Sequence, residues 1–113
     1  MRNKSKGILS TGALLALVVQ TGCATLEFGR DFDPHQFEAI VKRGETNTQQ
    51  VKALLGAPTS QGIVVENDGS RYTRWLYYYG KGRIHKMENA QLKTMEVRFD
   101  ASDKVASYSW SAE

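Results

Sequence analysis

The sequence predicts an α+β fold: two short helices packed on a three-stranded antiparallel sheet, in the order ααβββ. Three observations predict it. Between Asp33 and Pro58, apolar residues recur at helical spacing in two separate blocks. From Arg71 onward the period shortens to two and aromatic residues become frequent, as strands require. The last two strand-like runs are separated only by Ala101, Ser102 and Asp103, which makes them a hairpin.

The first helix is read in "DPHQFEAIVKRG". Asp33 supplies an N-cap and Pro34 fits the first helical position, where a missing N–H costs nothing. Phe37, Ile40 and Val41 stand at i, i+3 and i+4 and form one apolar stripe. Lys42 and Arg43 suit a helix C-terminus, and Gly44 can close it. The second helix is read in "ETNTQQVKALLGAP", where Val51, Leu54 and Leu55 repeat the spacing. Thr46 with Gln49, or Asn47 with Gln50, can form a capping box; Asn47 is preferred because it turns Val51 toward the core. Gly56 followed by Pro58 stops the helix. So short a connection predicts a helical pair.

Beyond Pro58, "SQGIVVENDGS" holds a short β-branched run and an Asn-Asp-Gly turn signal. "RYTRWLYYY" reads as a strand with Trp75, Tyr77 and Tyr79 on one face and Leu76 and Tyr78 on the other. "GKGRIHKMENAQ" reads as a polar loop. "LKTMEVRFD" places Met95, Val97 and Phe99 on one face and Thr94, Glu96 and Arg98 on the other, and "KVASYSWSAE" places Tyr108 and Trp110 together. Val51, Leu54, Leu55, Trp75, Val97 and Phe99 are the expected core.

The first 22 residues differ from the rest. Arg2, Lys4 and Lys6 precede the apolar run Gly7–Val19, and small residues Thr21 and Gly22 follow. As a helix this run rises only ~20 Å at ~1.5 Å per residue, short of the ~30 Å bilayer core. The pattern is that of an export signal; the alternative is a buried N-terminal helix. Three of the chain's 15 basic residues lie here, leaving 12 to balance 12 acidic ones. The rest of the chain is therefore neutral, which argues against a nucleic-acid partner.

Cys23 is the single cysteine. It cannot form a disulfide within the chain, and His35 and His85 lack ligand spacing to it. "VQTGC" resembles the bacterial lipobox, in which the cysteine becomes the first residue after cleavage and carries acyl chains. Gln20 departs from that pattern, which usually has Leu there. The resemblance implies residues 1–22 as signal peptide, residues 23–32 as lipidated cysteine and tether, and residues 33–113 as the domain. Ala24 in place of Asp implies, by likeness to Gram-negative lipoproteins, the outer membrane, with the domain in the periplasm. The tether Ala24–Asp31, fully extended, reaches under about 29 Å at ~3.6 Å per residue.

"GETNTQQVKALLGAPT", "RWLYYY" and "LKTMEVRFDASDKVASYSW" together resemble the SmpA/OmlA (BamE-like) family of outer-membrane lipoproteins. The shared pattern is a Gly-x-Thr helix start, Val-x-x-Leu-Leu-Gly-x-Pro, a Trp-x-Tyr strand and a closing Val-x-Phe-Asp hairpin. It spans Gly44 to Trp110. Val51 lies seven residues after Gly44 where the family usually has six, which places an extra residue at the helix start. The resemblance implies a non-enzymatic subunit supporting outer-membrane β-barrel assembly through protein–protein contacts. It also implies a second reading, since the family's fold is similar to the repeat unit of β-lactamase inhibitor proteins: an inhibitor-like or ligand-binding module.

The sequence holds no Gly-x-Ser-x-Gly elbow, His-Glu-x-x-His motif or P-loop, and "GKG" is a lone Gly-x-Gly. The chain is read as a non-enzyme with no cofactor beyond the lipid on Cys23 and no metal. Arg74, Tyr78 and Arg83 are the candidate partner contacts, because Tyr and Arg anchor many interfaces. Arg83, His85 and Lys86 are either a solvated loop or contacts for anionic lipid head groups.

Overall fold

The computed structural model describes residues 25–83 and 90–113. The readings placed on the export segment, Cys23, His85 and Lys86 lie outside them. Seven elements follow in chain order: β1 Thr25–Gly29, α1 Pro34–Ile40, α2 Thr48–Leu55, β2 Ser60–Val65, β3 Arg71–Arg83, β4 Gln91–Phe99 and β5 Val105–Ala112. The fold is α+β, with two helices and one antiparallel sheet, but the sheet has five strands where the sequence predicts three. The tether expected between Ala24 and Asp31 is largely strand β1, and the glycine-containing start of the expected polar loop, Gly80–Arg83, is the part of β3 that pairs with it.

The two additional strands share one edge of β3. Residues Arg71–Leu76 pair with β2 and residues Tyr79–Arg83 with β1, so β1 and β2 lie end to end. The opposite edge of β3 pairs with β4, and β4 with β5. The β2–β3 and β4–β5 turns are each fixed by an aspartate. Asp68 Oδ1 accepts the Ser70 N–H at 2.9 Å before β3, and Asp100 Oδ1 accepts the N–H groups of Ser102 and Lys104 before β5.

Side-chain alternation sorts the sheet into two faces. Trp75, Tyr77, Tyr79, Met95, Val97 and Phe99 point one way, and the helices cover them with Phe37, Val51 and Leu55. Val105 and Phe32 complete this core, and Leu54, Tyr108 and Trp110 pack at its margin. Trp75 meets Phe99 edge to face with centroids 4.7 Å apart, and Phe37 meets Tyr108 at 5.5 Å. Burying one such side chain contributes roughly 1.5–3 kcal/mol, so α1 is attached mainly through Phe37.

Both predicted caps are present. Asp33 accepts the N–H groups of His35 and Gln36, with Pro34 first in α1. Asn47 and Gln50 form the reciprocal capping box at 2.9 and 2.8 Å. Gly56 ends α2 with φ of 85° and ψ of −168°, a positive-φ conformation open to glycine. Helix α1 stops earlier than its sequence suggests. Val41 is already extended, so Ile40 ends the helix 48% exposed and leaves the apolar stripe to Phe37 and Val41. The helices lay Phe37 of α1 and Val51 and Leu55 of α2 into one core with the sheet.

The linker between the helices is tied to the sheet. The buried Thr46 hydroxyl accepts the Lys42 N–H at 2.8 Å, and the Thr46 N–H donates to Lys42 O. Gly44 N–H donates to Val105 O and Val105 N–H to Thr46 O, both at 2.8 Å. The Gly-x-Thr motif is therefore a clip that fastens the inter-helix turn to the start of β5.

Candidate partner-binding face

The helices leave one face of the sheet open. Register places Arg74, Leu76 and Tyr78 of β3 on it, beside Thr94, Glu96 and Arg98 of β4 and Ser107, Ser109 and Ser111 of β5. Leu76, Tyr78, Thr94, Glu96, Ser109 and Ser111 line a shallow depression of about 360 Å³. Tyr78 is 37% exposed and is the only exposed tyrosine among the described residues. Its backbone N–H donates to Thr59 Oγ1 at 3.1 Å, which ties the start of β2 to this point of β3.

The cations on this face are unequal. Arg98 is neutralised: its Nε lies 2.6 Å from Glu96 Oε2 and a terminal nitrogen 3.0 Å from Glu66 Oε2. The hydrogen bond to Glu96 raises its already high pKa further. Arg74 stands directly opposite Arg98 in the ladder and beside Gly62. Among the described residues no carboxylate pairs with Arg74, and its buried Nε has no hydrogen-bond partner. A buried donor left unpaired costs about 1–3 kcal/mol.

The three sequence candidates do not form one cluster. Arg74 and Tyr78 share the open face on either side of Leu76. Arg83 has the parity of Trp75 and Tyr79, opposite Thr25 at the far end of the sheet, so it belongs to the helix-side face. Cys23 lies outside the described residues.

A polar network missed in the sequence holds β1 and the turn after it to the sheet. The Tyr79 hydroxyl donates to Glu27 Oε2 at 2.9 Å. Lys93 Nζ donates to Asp31 Oδ1 at 2.8 Å and to Phe32 O at 3.0 Å, and sits 5.8 Å from the Tyr79 ring centroid. The Lys93 hydrogen bond holds the Asp31 carboxyl below its ordinary value. Burial, followed by the hydrogen bond to Glu27, pushes the Tyr79 phenol up to about 12. These partners are more than 50 residues apart in the chain, beyond any local motif.

Among the described residues no group of three His, Cys, Asp or Glu side chains could hold a metal ion. No helix among them is long and apolar enough to cross a membrane. His35 is exposed and rests edge-on against Trp110, with centroids 4.7 Å apart. Comparisons with protein-family profiles, curated proteins and solved structures return no match for this chain.

Proposed function

We propose that this chain is an outer-membrane lipoprotein, held by acyl chains on Cys23 and facing the periplasm. In this reading it is a non-enzymatic scaffold or accessory subunit that supports assembly of outer-membrane β-barrel proteins through protein–protein contacts. The observation that carries a binding role is the open sheet face, where Arg74, which no carboxylate pairs among the described residues, and the exposed Tyr78 stand on either side of Leu76. Barrel assembly as the process, and the outer membrane as the location, rest on the resemblance over Gly44–Trp110 and on the sequence "VQTGCA". The Gly-x-Thr and Leu-Leu-Gly-x-Pro motifs behind that resemblance have definite structural work here: the first clips the helices to β5, and the second ends α2.

The inhibitor-like alternative calls for an aromatic surface around Tyr78. The lining beside Tyr78 is mixed, with Thr94, Glu96, Ser109 and Ser111 next to Leu76, Met95 and Trp110, so both kinds of contact have residues to draw on.

Co-purification from detergent-solubilised membranes tests the proposal. Barrel-assembly subunits are expected with the unaltered chain. Truncating an interface anchor costs ~2 kcal/mol, so Arg74→Ala or Tyr78→Ala should lower their recovery by roughly tenfold or more. Cys23→Ser should remove the mature acylated mass from the membrane fraction. Recovery of no such subunit with the unaltered chain would overturn the assignment.

A further inference from the structure

One end of the sheet is built differently from the rest. The rows Leu26–Gly82 and Phe28–Gly80–Leu92 lie side by side on the open face. The two glycines remove the middle side chains, and the Phe28 ring lies over Gly80 so closely that any side chain there would collide with it. The result is an apolar trough of about 160 Å³ walled by Leu26, Phe28 and Leu92. These three side chains are 60%, 53% and 44% exposed. The "GKG" stretch is thus the floor of an apolar surface and not a phosphate loop.

We infer that this trough is a membrane-contact surface that seats the β1 end of the domain in the bilayer interface. The inference rests on the lipid anchor proposed above. Cys23 precedes Thr25, the first residue of β1, by two residues, so the acyl chains must enter the bilayer within ~7 Å of that strand end, at ~3.6 Å per residue. With no long tether between them, the apolar trough and the acylated residue are held to the same surface. Lys81 and Arg83 are exposed at the same end of β3 on the other face, where they suit the polar head-group layer. Glu27, opposite Lys81, is engaged by Tyr79. Amphipathic elements that lie at an interface show this division into an apolar and a cationic side. The other exposed aliphatic pair, Ile63 and Val65 on β2, stands at the opposite end of β3 and takes no part.

The test uses the acylated full-length protein reconstituted in phosphatidylcholine vesicles, with acyl chains either plain or brominated near the head group. Phe28→Trp keeps a ring over Gly80 and adds a reporter to Trp75 in the core and Trp110 at its margin. Interfacial side chains sit ~5–10 Å into the head-group boundary, so the added emission should fall by roughly half in brominated lipid. The unaltered protein and an Ile63→Trp control should change little. Adding Leu26→Ser and Leu92→Ser, both at exposed positions, should abolish the quenching of the Phe28→Trp reporter. Mass spectrometry of the N-terminal peptide separates the two readings. A chain without acyl mass overturns the anchor and this seating together. An acylated chain whose reporter at position 28 is unquenched overturns the seating alone. If Phe28→Ser then strips a protein from the purified assembly, the trough belongs to a protein interface.

Discussion

At the scale of single residues, the strongest constraints are buried hydroxyls. Tyr77 donates to Gly56 O at 2.8 Å from inside the core, and burial raises its pKa well above the ordinary value of 10. Tyr79 is pushed up to about 12 by burial and by Glu27. Both phenols resist losing a proton, so their contribution to stability is complete below pH 10 and is lost as the pH rises through the higher folded values. An alkaline spectrophotometric titration should therefore show two of the five tyrosines ionising late, the later step coinciding with unfolding. Five tyrosines titrating together near pH 10 would contradict this placement.

At the scale of elements, the two helices and the last hairpin were legible because their signals are local. Asp33-Pro34, Asn47 with Gln50, and Gly56 with Pro58 each act within one turn, and the alternation of Met95, Val97 and Phe99 is direct. The β2 run was visible, but its β-branched residues were too few to declare a strand without knowing its partner. Strand β1 was not legible. Its five residues pair with a Gly-Lys-Gly-Arg stretch of low strand propensity, so tertiary pairing decides the outcome on both sides. Gly29 makes that pairing possible: it has φ of 79°, and a Cβ there would run into the Tyr78 carbonyl oxygen. Gly29→Ala is expected to release β1 selectively. Amide hydrogen exchange should show loss of protection over Thr25–Gly29 and Tyr79–Arg83, with the β3 to β5 pairings beyond them retained. Unchanged protection of β1 would show that the strand does not depend on this close approach.

At the scale of the whole molecule, two layers are held together by apolar burial and by polar ties, among them the Tyr77–Gly56 bond and the Thr46 clip. Removing the Thr46 hydroxyl with Thr46→Val keeps the shape of the side chain but leaves the partly buried Lys42 N–H without its acceptor. The cost should be about 1–3 kcal/mol. Because the clip joins the inter-helix turn to β5, the loss should appear as a lower denaturant midpoint for the entire domain with an unchanged slope. A midpoint within error of the unaltered protein would mean that the Thr46 hydroxyl adds nothing to holding the layers together. The candidate site was legible only in part at this scale. Arg74 and Tyr78 could be placed on the open strand face from their even spacing. Arg83 could not be separated from them until the length of β3 was known, because the expected loop ended the alternation at Tyr79.

The end-to-end arrangement of β1 and β2 along β3 also has a mechanical side. If the chain is held at Cys23, any pull between a surface and the domain enters along the axis of β1. The ladder bonds to β3 run across that axis, so the five paired residues meet the pull together in shear instead of parting one rung at a time. Strand β2 on the same edge is reached only through the helices, and it would stay paired while β1 bears the strain. The strand nearest the anchor would then act as a short, stiff shackle, transmitting force from the surface straight into the middle of the sheet.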